Sequence, residues 1–262
     1  MQLSVAARTD AGMIRAGNED AFFADVNPRR GLFIVADGMG GHAAGEVASE
    51  MAVEILRREL ANVYDLHPPG IPEKVAEALR NANSAIFQRT ITEVDKQGMG
   101  TTASVLVLAG GRYLIGQVGD SRVYLLRAGS LTQLTKDHSY VQEQVDAGFL
   151  TPEQARYHPY SNVITRCVGA SDHVDPDTYG GDVRPGDVFL VASDGLTGMV
   201  DDRRLQQLLM SSAAPARKVD ALISEANGRG GLDNITAIVI QVVGLDDRRA
   251  DDPTAETPAY TR

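Results

Sequence analysis

Short apolar runs separated by very few residues constrain this chain more than any other feature. Leu3 to Arg8, Ala21 to Val26, Leu32 to Ala36, Ser104 to Ala109, Tyr113 to Val118, Arg122 to Leu126, Val188 to Ala192 and Ile235 to Val243 are rich in Val, Ile, Leu and Tyr and are bounded by Gly, Asp and Asn. They read as strands. Only Ala109-Gly110-Gly111 separates Leu108 from Arg112, and only Gly119-Asp120-Ser121 separates Val118 from Arg122. Parallel neighbours need a crossover of a dozen or more residues, so links this short predict antiparallel hairpins.

Two helical patterns lie between the early and middle strands. Val47, Met51, Ile55, Leu56, Leu60 and Val63 recur at helical spacing, with Glu50, Glu54, Arg57 and Arg58 on the other side. Val75, Leu79, Ala82, Ile86 and Phe87 do the same after Pro72, a residue suited to a helix start. His67-Pro68-Pro69-Gly70 interrupts them, which predicts a helical hairpin. A weaker pair follows at Leu205, Leu208 and Leu209, then Val219, Leu222, Ile223 and Ala226. Strand groups each followed by a helical pair predict an α+β fold with two antiparallel sheets face to face and helices outside.

With 43% hydrophobic residues over 262, the chain can bury an ordinary core. Residues 1–245 read as one domain, and 246–262 as a disordered acidic tail with little to bury. Its Thr254, Thr257 and Thr261 are candidate phosphorylation sites, but Thr beside Pro and acid, as at Thr254 and Thr257, is also what a plain solvated terminus contains. The 35 acidic against 25 basic residues give a net charge of −10, which argues against nucleic acid and anionic membranes as partners. The single Cys167 can close no intrachain disulfide, and no signal-length or membrane-spanning apolar run occurs, so a cytoplasmic protein is expected.

Acids sit at the strand ends. Asp37 ends Leu32 to Ala36, Asp194 follows Val188 to Ser193, Asp120 follows Tyr113 to Val118, and Asp233 precedes Ile235 to Val243. In antiparallel sheets these ends can meet at one rim, which Glu19 and Asp20 can join. Two carboxylates about 5 Å apart repel by roughly 3 kcal/mol at an effective dielectric of about 20, so a gathering of them needs a cation. Either Arg15, Arg122 and Arg166 supply it as a salt-bridge network, or the site holds hard divalent ions, for which Asp oxygen is a preferred ligand. A third option is that the Asp residues only cap turns and never meet.

The motifs in order are Arg15-Ala16-Gly17-Asn18-Glu19-Asp20, Val35-Ala36-Asp37-Gly38-Met39-Gly40-Gly41-His42, Gly98-Met99-Gly100-Thr101-Thr102 and Gly119-Asp120-Ser121-Arg122. Asp137-His138-Ser139, Ile164-Thr165-Arg166, Ser193-Asp194-Gly195-Leu196 and Asp233-Asn234-Ile235-Thr236 follow. Together they resemble the metal-dependent serine/threonine protein phosphatases of the PPM, or type 2C, family, in its bacterial form. The resemblance implies a four-layer αββα sandwich and a hydrolase that uses Mn²⁺ or Mg²⁺, two core ions and a third, weaker one. By resemblance Asp37 bridges two metals, the Gly38 carbonyl is a further ligand, and Asp194 and Asp233 complete the first metal's set. Glu19 then holds a water on the metal, and Asp120 with Asp194 serves the third ion. Arg15 binds the substrate phosphate.

Two ions about 3.5–4 Å apart can activate a shared water and aim it in line at phosphorus, so no phosphoenzyme is needed. His42 is the candidate general acid for the departing alkoxide, with a capping or structural role as the alternative. Residues of about 137–180 correspond to the family's variable flap, read as a partly mobile lid. There Thr151-Pro152-Glu153 marks a helix start, His158-Pro159 a break, and Ser161, Thr165 and Arg166 are candidate substrate contacts. A cysteine phosphatase is excluded, because His173 stands where Cys167 would require Arg. The expected substrates are phosphoproteins, the expected partner is a bacterial Ser/Thr kinase with its targets, and the expected state is a monomer. The alternatives are a phosphatase dedicated to one regulatory partner, such as an anti-sigma antagonist, and a non-catalytic signalling module of the same fold.

Overall fold

In the computed structural model, which describes residues 1–40 and 44–245, the apolar runs become paired strands. In chain order these are β1 (Gln2–Asp10), β2 (Asp20–Asn27), β3 (Arg30–Met39), β4 (Gly100–Thr101), β5 (Ala103–Ala109) and β6 (Arg112–Val118). Then come β7 (Arg122–Arg127), β8 (Ser130–Gln133), β9 (Asp177–Asp182), β10 (Val188–Ala192) and β11 (Ile235–Gly244). One sheet runs β1-β11-β10-β7-β8 and the other β2-β3-β5-β6-β9, with β4 added to β3; every pairing is antiparallel.

The continuous apolar runs have a physical reason: both faces of the central strands are covered. In β3, Leu32, Ile34 and Ala36 face one apolar cluster while Phe33 and Val35 face another. In β11, Ile235, Ala237 and Val239 lie in a third cluster and Ile238, Ile240 and Val242 in the shared one. That shared cluster is the core between the sheets. The outer clusters lie under helices: α1 (Ala44–Glu59) and α2 (Ile71–Thr92) cover the second sheet. The short α5 (Asp194–Thr197), with α6 (Asp202–Met210) and α7 (Pro215–Gly228), covers the first. The result is the expected αββα sandwich. Among the described residues no helix is long and apolar enough to cross a membrane.

One predicted hairpin is overturned. Ala109-Gly110-Gly111 does close β5 onto β6, with φ of +58° at Gly110 and +76° at Gly111, as a two-residue hairpin turn requires. Gly119-Asp120-Ser121 instead carries the chain from β6 in one sheet to β7 in the other. Gly119, at φ +101°, turns the corner, and the buried Gln117 amide ties it by donating to the carbonyls of Gly119 (3.0 Å) and Ser121 (2.7 Å). Both strands are apolar on both faces, so their pattern does not tell which sheet each joins.

The flap segment carries α3 (Tyr140–Asp146) and α4 (Pro152–Arg156). Thr151 begins α4 with a reciprocal cap: its hydroxyl accepts from Gln154 N–H and its N–H donates to the Gln154 side chain. The last residues of the predicted flap belong to β9, an edge strand on β6. The predicted tail, 246–262, lies outside the described residues.

Candidate active site

Strand register brings the acids together. Asp20, the first residue of β2, is paired directly with Asp37 near the end of β3. Ala192, the last residue of β10, lies opposite both Ala237 of β11 and Arg122 of β7. Asp194, Asp233 and Asp120, each within two residues of those strand ends, therefore leave the first sheet at the same edge.

The carboxylates feel one another. Asp37 is pushed well above the usual carboxylate range, by burial first and then by the charges of Asp20, Asp194 and Asp120. Asp194 is raised by burial and then by Asp233, and it accepts a hydrogen bond from the Asp37 carboxyl. Burial, then Asp194 and Asp137, push Asp120 up, against the opposing pull of Arg122. Asp20 is pushed up to about 7 by burial, although the hydroxyls of Thr236 (2.6 Å) and Ser193 (2.8 Å) donate to it. One oxygen each of Asp20, Asp120 and Asp194 is buried with no hydrogen-bond partner.

A frame of hydrogen bonds holds this edge. Thr102 Oγ1 accepts from Asp37 N–H at 2.9 Å, and Thr102 N–H returns to Asp37 O at 2.9 Å. The Asn234 side chain accepts from Glu19 N–H (2.8 Å) and donates to the carbonyls of Ala11 (3.0 Å) and Gly17 (2.8 Å), joining the loop before β2 to the start of β11. Gly38 N–H donates to Glu19 O at 3.1 Å, and a Cβ on Gly38 would collide with the backbone oxygens of Gly45 and Glu19. The glycine in Asp37-Gly38 is therefore a steric demand of the start of α1 at Gly45 and of the Glu19 loop.

The three arginines separate the readings that the residues alone left open. Arg122 pairs with Asp137 (2.6 Å) and Arg166 with Asp177 (3.1 Å); neither hydrogen-bonds to a proposed ligand, although the charge of Arg122 reaches Asp120 and Asp194. Only Arg15 turns to the site, with Nη2 2.7 Å from Asp233, and its guanidinium is held up by Asp233, Glu19 and Asp37. Among the described residues no guanidinium hydrogen-bonds to Asp37, Asp120 or Asp194, and no three acid, His or Cys side chains yet stand at ligand spacing around one point. Hard carboxylate oxygens that are buried, unpartnered and mutually repelling nevertheless fit a divalent cation better than any group present.

Of the flap candidates, Ser161 and Thr165 are exposed, and Arg166 is held by Asp177 and the Asp175 carbonyl (2.7 Å). His42 lies outside the described residues. Asp20 joins the rim as expected, whereas Thr102, Ser193, Asn234 and Thr236 frame the site without standing among the candidates. Their signal was position beside a strand-end acid, which does not distinguish a frame from a turn.

The profile of Protein phosphatase 2C matches residues 14–226, a span that contains Arg15, Glu19, Asp37, Gly38, Asp120 and Asp194 and ends seven residues before Asp233. The chain belongs to the protein phosphatase 2C family. It is 42% identical over 245 residues to the serine/threonine protein phosphatase PstP of Mycobacterium tuberculosis, covering 93% of this chain and 46% of that protein. The chain thus spans about half the length of that curated relative. It is 39% identical over 236 residues to the serine/threonine phosphatase stp of Listeria welshimeri, covering 89% of this chain and 94% of that one. Its fold matches the crystal structure of the PstP catalytic domain in complex with two manganese ions, with a TM-score of 0.79, 41% identity and coverage of 92% and 99%. The structure of the S. agalactiae serine/threonine phosphatase matches with a TM-score of 0.86, 37% identity and coverage of 92% and 100%.

Proposed function

We propose that this chain hydrolyses phosphoserine and phosphothreonine on proteins, using Mn²⁺ or Mg²⁺ held by Asp37, Asp194 and Asp233, with the Gly38 carbonyl and Glu19 at the second position and Asp120 at a weaker third. The observation that carries this is the gathering of Asp20, Asp37, Asp120, Asp194 and Asp233 at one edge beside Arg15, where burial and their mutual repulsion raise Asp20, Asp37, Asp120 and Asp194 and one oxygen each of Asp20, Asp120 and Asp194 has no partner. Bound divalent cations supply an activated water and neutralise the phosphoryl oxygens there.

The chain's own groups do the rest. Arg15, half-exposed at the mouth, engages only Nη2 among the described residues, leaving most of its fork to orient a phosphate. Asp37 and Asp194, which burial and mutual repulsion dispose to keep a proton, would have to be ionised to hold a cation. The Asn234 and Thr102 bonds fix the backbone that carries these acids, so the substrate meets a prebuilt site. His42 is the proposed proton donor to the departing Ser or Thr oxygen.

The serine/threonine phosphatases among the relatives support phosphoprotein substrates, and the proposed role is to oppose a Ser/Thr kinase in the cytoplasm. Retention of every acid that the chemistry needs favours catalysis over a silent signalling module. The test is hydrolysis of p-nitrophenyl phosphate and a phosphothreonine peptide with Mn²⁺, lost with EDTA or Asp37→Ala. Full turnover in excess EDTA defeats the reading. Incubation of host phosphoprotein lysate with wild type against Asp37→Ala would then identify targets.

A further inference from the structure

Asp120 sits at the corner where the chain passes from one sheet to the other. Gly119 before it adopts φ +101°, and Asp120 Oδ1 is buried without a hydrogen-bond partner. Its position therefore depends on what grips the backbone of the corner. Gln117 grips it from within β6 through the carbonyls of Gly119 and Ser121, and His138 grips it from the flap side: His138 N–H donates to Gly119 O at 3.0 Å, and Gly119 N–H donates to His138 Nδ1 at 3.1 Å.

The second bond determines the tautomer of the ring. A backbone N–H can only donate, so Nδ1 must present its lone pair and the proton must sit on Nε2. Nε2 lies 3.2 Å from Asp177 Oδ2. Asp177 is in turn held by Arg166 Nη1 on Oδ1 (3.1 Å) and by the Tyr179 hydroxyl on Oδ2 (3.1 Å). Asp177 and Tyr179 belong to β9 and Arg166 to the flap, while His138 O also accepts Thr165 N–H at 2.8 Å. A continuous chain of bonds thus runs from the Asp120 corner through one buried imidazole to the root of the flap.

We infer that His138 is a positioning residue that holds the Asp120 corner in its ligating posture and couples it to the flap through Asp177. The inference rests on the reading of Asp120 as a metal carboxylate. The arrangement has the form of a second layer of contacts around a metal, where an oriented imidazole hydrogen-bonded to a carboxylate sets the posture of a neighbouring ligand. Burial lowers the His138 pKa, consistent with a neutral ring whose Nδ1 accepts. Charging the ring would set two hydrogens against each other at Gly119.

The test uses the whole chain without substrate, titrating Mn²⁺ calorimetrically into wild type, Asp120→Ala, His138→Gln, His138→Asn and the Asp120→Ala/His138→Gln double variant. Asn keeps an acceptor where Nδ1 stood, whereas Gln reaches toward Asp177 and leaves Gly119 N–H without a partner. Asp120→Ala is expected to remove the weakest Mn²⁺ event. His138→Gln is expected to weaken that event about tenfold and to leave the tighter events in place. His138→Asn should stay close to wild type, and the double variant should match Asp120→Ala. Independently, ¹⁵N NMR of wild type should show His138 protonated on Nε2 and bare on Nδ1.

A His138→Gln protein that melts lower yet binds every Mn²⁺ as wild type does overturns the inference alone, and so does a proton on Nδ1. Unchanged binding in Asp120→Ala overturns the ligand assignment of Asp120 and the inference with it. If His138→Gln fails to fold, the tautomer decides.

Discussion

Consider replacing Asp194 by Asn, which keeps the size of the side chain and deletes its charge. Asp20, Asp37 and Asp120 all feel the Asp194 carboxylate, so it is the hub of the repulsion at the rim. One ionised pair at about 5 Å and an effective dielectric of about 20 repels by about 3 kcal/mol. The acids relieve part of this by retaining protons: the Asp20 carboxyl is pushed up to about 7, and Asp37 donates a hydrogen bond to Asp194. A net gain of about 2 kcal/mol is expected for Asp194→Asn in the cation-free protein, about 4–8 °C in Tm for a domain of this size. These carboxyls have folded pKa values above their unfolded ones, so the stability linked to them is whole below the unfolded pKa of about 3.8 and is lost as pH rises through the folded value. The variant's advantage should therefore be small at pH 4 and full at pH 8. Calorimetry in EDTA across that range measures it. Saturating Mn²⁺ should reverse the order, because wild type gains about 2.7 kcal/mol at a cation concentration of 100 times Kd and the variant has lost a ligand. An Asp194→Asn protein that melts at or below wild type in EDTA at pH 8 would refute the argument that these acids strain the fold on behalf of a cation.

Three further outcomes follow from the geometry. Arg15→Ala should lower kcat/KM ten- to hundredfold, the worth of about 1.5–3 kcal/mol in charged hydrogen bonds to phosphate, chiefly through KM. It should leave Tm nearly unchanged, because the Arg15–Asp233 pair is exposed; an unaltered KM would remove Arg15 from the phosphate site. Gly38→Ala drives a methyl into the oxygens of Gly45 and Glu19 and should cost about 1–3 kcal/mol, read as a lower Tm together with lost turnover. Because burial lowers the folded His138 pKa below 6.5, its stability contribution is whole above the unfolded pKa and is lost as pH falls through the folded one. Between pH 7 and 5, wild type should accordingly lose Tm faster than His138→Asn, and parallel curves would contradict a buried neutral ring.

Much of the architecture was legible because burial leaves a periodic trace. Central strands covered on both faces read as unbroken apolar runs, and α1 and α2 declared themselves by spacing and by the prolines between them. The edge strands β8 and β9 did not, since Ser130–Gln133 and Asp177–Asp182 are half-exposed, polar or glycine-rich, and pair mainly through a neighbour's backbone. The Asp120 corner was misread for a related reason: a three-residue link fits a hairpin and a sheet-to-sheet crossing equally well, and only the partners of β6 and β7 separate them.

The order of residues alone determined which groups have the chemistry: acids placed immediately at the ends of apolar runs, an arginine ahead of the first of them, and glycines where the backbone must come close. Tertiary structure decided which of those groups meet. That Asp20 lies opposite Asp37, that Arg122 and Arg166 turn to Asp137 and Asp177 while Arg15 turns to Asp233, and that His138 grips Gly119 all depend on pairings between residues far apart along the chain. Local propensity reports what a segment buries. Strand register, set by the packing of two sheets on one another, reports what it faces.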